Sequence, residues 1–214
     1  MRKHQKKLKF FSILMIITGI FLLLKKPLQD QSIAYISQKY SEEVVTAEVV
    51  ENNNEKEVSF DFDIIEDLDG EAVIKAMREH KDLPVIGSLS IPSVDLSLPI
   101  IKGVSNAGLA VGAVTLSEDQ KMGQGNYALA GHYMTNPKLL FRPIYRMKKG
   151  HLMYLNDGDR VYVYQMTESK TVEATDLSVL EDSLDKSVIT LITCNNEGET
   201  RYIVKGELVE SKNI

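Results

Sequence analysis

Beyond Leu83 the sequence predicts an all-β domain, either a sandwich or a closed barrel, and two observations lead to that fold class. Short stretches rich in β-branched and aromatic residues, or alternating polar with apolar, recur to the end of the chain. Pro92, Pro99, Gly125, Asn156, Gly158 and Gly198 separate them, as turn residues should. A third observation concerns the start of the chain, where an uninterrupted apolar run predicts a membrane-spanning helix ahead of the β domain. With 214 residues, 43% of them hydrophobic, the chain can bury one sizeable core rather than two.

The apolar run is FFSILMIITGIFLLL, Phe10 to Leu24, bounded by Lys9 and Lys25. Its 15 residues fall short of the roughly 20 that a spanning helix needs. Leu8 and Leu28 extend it, and the flanking lysines can lay their methylene stems along the apolar zone while their ammonium groups stay wet. A cleaved secretory signal has an apolar region of similar length. However, Lys25, Lys26 and Pro27 follow Leu24 in place of a small-x-small cleavage site, which favours an uncleaved signal anchor. A buried soluble helix would show a polar face. Arg2, Lys3, Lys6, Lys7 and Lys9 precede the run and only Lys25 and Lys26 follow it closely, so the N-terminus is expected in the cytoplasm.

Pro27 to about Lys81 is polar and acidic, with VVENNNEKEV and FDFDIIEDLDG, and is expected to be a mostly flexible stalk. One helix is expected within it, from Glu71 to His80, capped by Asp69 and apolar at Val73, Ile74, Ala76 and Met77. The strand-like stretches then follow: Val85–Ile91, Val94–Ile101, Asn126–Tyr133, His151–Leu155, Arg160–Met166, Val188–Thr193 and Arg201–Val209. Short helical turns are expected near Ala107–Ala110 and Leu139–Tyr145.

Charge and cysteine content narrow the function. Seven of the 25 Lys and Arg lie in the first 26 residues, where there is no Asp or Glu. The rest of the chain therefore sets 18 basic residues against 30 acidic ones, a balance of −12 that disfavours nucleic acid as a partner. Cys194 is the only cysteine, which excludes an internal disulfide and a Cys-rich zinc module.

Three residues could carry chemistry. Cys194 ends the apolar stretch VITLIT and precedes the polar NNEGET, so its thiol lies where a buried strand meets solvent. Taken alone, it could equally be a small hydrophobe filling a core gap. Arg201 follows after six residues that include Asn196-Glu197-Gly198, a tight-connection sequence. Antiparallel pairing would set a guanidinium beside the thiol, able to stabilise a thiolate or a neighbouring oxyanion. His132 emerges at the end of the small apolar run ALAG, matching the position of Cys194 on its own strand. Nearby zinc ligands are absent, as are the sequences that surround the cysteine in papain-like and caspase-like proteases.

ALAGH, and TLITC followed at close range by an Arg, together resemble the sortases, specifically the class A housekeeping transpeptidases of Gram-positive bacteria. The resemblance covers about Val85 to Val209, and the anchor and acidic stalk fit it. It implies a closed eight-stranded β-barrel with short helices, preceded by a transmembrane helix and stalk. The expected organisation is a cytoplasmic tail over 1–7, a signal anchor over 8–28, a stalk over 29–80 and a catalytic barrel over 81–214.

The resemblance further implies a groove floored by His132, Cys194 and Arg201 and lined by Ala130, Ile192 and Thr193. The implied substrate is an LPxTG sorting signal on a secreted surface protein, cut between Thr and Gly. The acyl group would pass to an amine of the peptidoglycan precursor lipid II. No cofactor is required on this reading. Some members bind Ca²⁺ beside the groove, and the candidate ligands here are Glu118, Asp119, Glu181 and Asp182. Gln120 and Gln124 stand where further carboxylates would be expected, so Ca²⁺ is not favoured. Two other readings of the residues remain open: a membrane-tethered β-barrel binding module with an inert Cys, and a simple cysteine hydrolase.

Overall fold

Pleat alternation and strand pairing together set the position of every functional side chain. The computed structural model describes residues 2–42, 45–61, 75–76, 78–79, 82–182, 185–195 and 199–214. Its strands are β1 (Val85–Ile91), β2 (Leu96–Ile101), β3 (Ala113–Thr115), β4 (Asn126–Ala130), β5 (Leu152–Asn156), β6 (Arg160–Glu173), β7 (Val188–Cys194) and β8 (Thr200–Asn213). They close into one barrel in the order β1-β2-β3-β4-β7-β8-β6-β5. The β2–β3 and β4–β7 pairs are parallel and the others antiparallel.

Leu89, Ile91, Ile100, Leu129, Met153, Leu155, Tyr164, Ile189, Leu191 and Val204 fill the interior and are fully buried. On β4 and β7 this turns Tyr127, Leu129, Ile189 and Leu191 inward, so Ala128, Ala130, Ile192 and Cys194 take the outer face. Closure removes the open edges that a sheet of this size would otherwise expose.

Several elements differ from the sequence expectation: β6 runs on to Glu173, β8 runs on to Asn213, and β2 begins at Leu96 after a 3₁₀ turn over Pro92–Val94. β3 is only three residues long and has no alternating pattern to reveal it. It follows helix α3 (Asn106–Val111), capped by Ser105, whose hydroxyl accepts from Gly108 N–H at 3.0 Å. β4 stops at Ala130 rather than Tyr133, although Gly131 N–H still reaches the Ile192 carbonyl at 3.0 Å. The expected turn near Leu139–Tyr145 is a 3₁₀ turn over Arg142–Arg146.

The largest difference is the stalk. Helix α1 runs from Arg2 to Glu42, through Pro27, and its outer half packs against the barrel. Ile33, Ile36 and Tyr40 recur at helical spacing and are all buried, while Ser41 donates to the Ser97 carbonyl at 3.1 Å. Helix α2 (Ala47–Asn54) follows, with Thr46 as its cap and Val50 and Asn53 buried. The Asn53 side-chain amide donates to the Val85 carbonyl at 2.8 Å. A flexible stalk is therefore not what residues 29–42 and 45–54 form; the polar average of the segment hides a few well-spaced apolar residues that suffice to dock it. The helix expected over 71–80 lies largely outside the described residues. Of those described there, Ala76 is buried against Ala107 and Ala110.

A chain beginning at Asp82 would expose the surface that Ile33, Ile36, Tyr40 and Val50 cover, and so should be less stable than one beginning at Gln29. Each such side chain contributes about 1.5–3 kcal/mol of burial. Urea midpoints of the two chains check this; equal midpoints would show that the docked helices contribute nothing.

Candidate active site

The β7–β8 register pairs Cys194 directly with Arg201, as the short connection between them requires. Both side chains are half-buried on the outer face, at the end where the two strands meet. Asn195 N–H and Arg201 Nη1 both donate to the Thr200 carbonyl, at 2.9 and 3.3 Å, which holds the guanidinium along the strand end. The Asn195 side-chain amide adds a bond to the Thr200 hydroxyl at 3.0 Å.

His132 comes from the other side. Ala130 pairs with Ile192 in the parallel β4–β7 register, so His132 lies two residues beyond Ala130 just as Cys194 lies two beyond Ile192. Between them Gly131 crosses the face of Phe141, and a Cβ there would come within 2.5 Å of the ring. Phe141 N–H donates to the His132 carbonyl at 3.2 Å, so the same residue packs under the glycine and fixes the backbone of the histidine. Only glycine fits between Ala130 and His132, which gives the AGH sequence a packing reason.

Ile192 and its partner Ile203 form an apolar outer patch with Val179, and Leu116, Val172 and Leu180 pack onto it. Ala130 lies partly buried on the same side, against the cluster that holds Val114. Thr193 does not join this surface. The pleat turns it into the barrel interior, where it is 2% exposed.

Val179 and Leu180 belong to a 3₁₀ turn over Leu177–Leu180, in the connection between β6 and β7. Asn126 ties that connection down, and nothing in the sequence pattern singles it out. Its buried side-chain amide donates to the Val179 and Glu181 carbonyls at 3.0 and 3.1 Å and accepts from the Thr190 hydroxyl at 2.7 Å. Its backbone N–H donates to Asp182 Oδ1 at 2.9 Å.

An aromatic cluster also borders Cys194 that sequence reasoning missed. Tyr145 stacks on Tyr202 at 4.1 Å between ring centroids and meets Tyr133 edge-on at 5.6 Å. The Arg142 guanidinium lies over both Tyr133 and Tyr145, about 5 Å from each ring. Burial, then Tyr133, pushes the Tyr145 phenol up, and Cys194 is near enough to add to the shift. Tyr145 is thus held as a neutral phenol.

The metal candidates do not converge. Asp119 and Asp182 line one cleft with Gln120 and Gln124, but no group of three His, Cys, Asp or Glu side chains gathers among the described residues. Asp182 is occupied by the Asn126 amide, and Gln120 bonds the Ser117 N–H and the Ala128 carbonyl. A Ca²⁺ ion needs several oxygen ligands brought together, and the described carboxylates are not gathered in that way.

A closed barrel whose single cysteine emerges beside an arginine and level with a histidine belongs to the cysteine-nucleophile enzymes. The Sortase domain family model matches residues 89–209. The chain belongs to the sortase family of cysteine transpeptidases. It is similar to sortase A of Listeria monocytogenes, 38% identical over 208 residues, covering 96% of this chain and 93% of that protein. Sortase A of Bacillus anthracis is 38% identical over 211 residues, with 96% and 98% covered. The solved structure of the Listeria sortase A superposes with a TM-score of 0.58 at 43% identity, covering 61% of this chain and 90% of that one.

Two substitutions test the packing of the site. Gly131→Ala should clash with Phe141 and displace the following residue, with a loss of at least tenfold in kcat/KM; full activity in this variant would refute the packing account of AGH. Asn126→Ala leaves a buried hydroxyl and two carbonyls short of partners, at about 1–3 kcal/mol each. The urea midpoint should fall, and hydrogen exchange should rise over 177–182 before the rest of the barrel; unchanged exchange there would show that Asn126 does not hold the connection.

Proposed function

We propose that this chain cleaves an LPxTG sorting signal between Thr and Gly and transfers the Thr carbonyl to an amine of the peptidoglycan precursor, fixing secreted proteins to the cell wall. Cys194 is the nucleophile. Its thiolate attacks the Thr carbonyl, the C–N bond to Gly breaks, and a thioester forms. His132, as imidazolium, gives its proton to the departing Gly nitrogen. The incoming amine attacks the thioester and loses a proton to the imidazole, and the C–S bond breaks to return the thiolate.

Arg201 donates to the oxyanion that develops on the Thr carbonyl oxygen in both steps. The Cys194–Arg201 register pair is the observation that carries this assignment. Ala130 and Ile192, with Leu116 and Leu180 beside them, offer apolar surface to the Leu and Pro of the signal. Every step closes without a metal.

The anchor belongs to the same reading. Within α1 the stretch from Lys9 to Ser41 is long and apolar enough to cross a membrane, and Phe10, Phe11, Ile13, Phe21 and Leu23 are all exposed. The five basic residues before Phe10 support a cytoplasmic N-terminus with the barrel outside.

Incubation with an LPxTG peptide and an amine nucleophile tests the whole reading. Ligation is expected from the wild type and none from Cys194→Ala. Cleavage without ligation would indicate a hydrolase, and absence of turnover a binding module. Arg201→Lys keeps the charge but loses the planar fork, so kcat/KM should drop by about 10²-fold or more. Near wild-type turnover with Lys would remove the oxyanion role.

A further inference from the structure

Beyond His132, the connection from β4 to β5 is the one markedly cationic stretch of the body. Residues 131–151 contain Lys138, Arg142, Arg146, Lys148 and Lys149 and no Asp or Glu, within a region beyond residue 26 that otherwise carries an acidic excess. Lys138, Arg146, Lys148 and Lys149 are exposed. Pairing places the whole connection at one end of the barrel. β4 leaves there after Ala130, and β5 enters there at Leu152, beside the end of β1 that carries Ser90 and Ile91. The β5–β6 turn, with Asp159 exposed, lies at the opposite end.

A second, independent observation concerns α1. The Asn136 side-chain amide donates to Asp30 Oδ2 at 3.3 Å, and Asp30 lies four residues beyond Lys26 in the same helix. One turn further, Ile33 joins the buried cluster that contains Met134, Leu140 and Phe141, on either side of that loop. Four residues of helix rise about 6 Å. Four residues of chain, from Asn136 back to His132, reach at most about 14 Å. The two side chains and the bond between them span up to about 10 Å more, so His132 stands within about 30 Å of the lysines that mark the edge of the span, while the headgroup layer alone is about 5–8 Å deep.

We propose that the β4–β5 connection is a membrane-docking surface that rests on anionic lipid headgroups, so the active site works at the bilayer face. The proposal rests on the reading of α1 as a spanning anchor. Headgroup attraction to exposed lysines fades within about a Debye length, roughly 8 Å at physiological salt. The docked helix supplies the proximity that lets a few lysines act, and the lysines fix which end of the barrel faces the lipid. An acyl acceptor that is itself tethered to lipid can then meet the thioester without leaving the membrane.

The test uses the full-length chain in phosphatidylglycerol vesicles that contain a headgroup spin-labelled lipid. In a Cys194→Ala background, a single fluorophore is placed at Thr135→Cys or at Asp159→Cys, both exposed positions. Quenching at 135 is expected to exceed that at 159 at least threefold. It should fall at least twofold when Lys138, Lys148 and Lys149 are all changed to Gln. Equal quenching at the two positions, or quenching at 135 that the triple change leaves untouched, would overturn the proposal. Protein that fails to float with the vesicles would instead overturn the spanning anchor.

Discussion

Parallel pairing of β4 with β7 is the constraint on which the site depends. The two strands lie far apart in sequence, and nothing local brings them together. Their register, Ala130 opposite Ile192, leaves His132 and Cys194 each two residues further on, with Cys194 on the outer face. A slip of one residue would turn Cys194 into the interior and bring Thr193 out. The register is held because Tyr127, Leu129, Ile189 and Leu191 all bury on the same side when it is correct. Arg201 then needs only the short β7–β8 connection to arrive opposite the thiol.

The rest of the surroundings serve to keep that face in shape. Phe141 lies under Gly131 and bonds the backbone of His132, so the connection that leaves β4 is fixed by the core beneath it. On the other side, Asn126 binds the β6–β7 connection to the sheet and holds Val179 and Leu180 against Ile192 and Ile203. Its hydrogen bonds are shielded from water, which strengthens each of them and raises the cost of losing one partner. The stacked tyrosines and Arg142 complete the border near Cys194.

That distribution explains what the sequence revealed and what it hid. The seven longer strands were legible because each is rich in β-branched or aromatic residues or alternates polar with apolar, whereas β3, with three buried residues, carries no period. Cys194, His132 and Arg201 stood out because rare, chemically able side chains sit where apolar runs end. Thr193 was placed on the groove by resemblance, and strand alternation places it inside. Asn126, Tyr145 and Arg142 act through contacts between distant segments, and residue type alone gives no sign of those. The docking of α1 was obscured for a related reason: Ile33, Ile36 and Tyr40 are few, and their polar neighbours set the character of the segment.

The central claim is that one thiol, on the outer face at the end of β7, carries the acyl group between the two substrates. Intact-mass and peptide-mapping mass spectrometry of the chain, quenched in acid soon after mixing with an LPxTG peptide and no amine, tests this most directly. The account predicts an adduct equal to the peptide up to its Thr, carried on Cys194 and discharged when an amine is added. An adduct on any other residue, or rapid turnover with no adduct at any time, would contradict it.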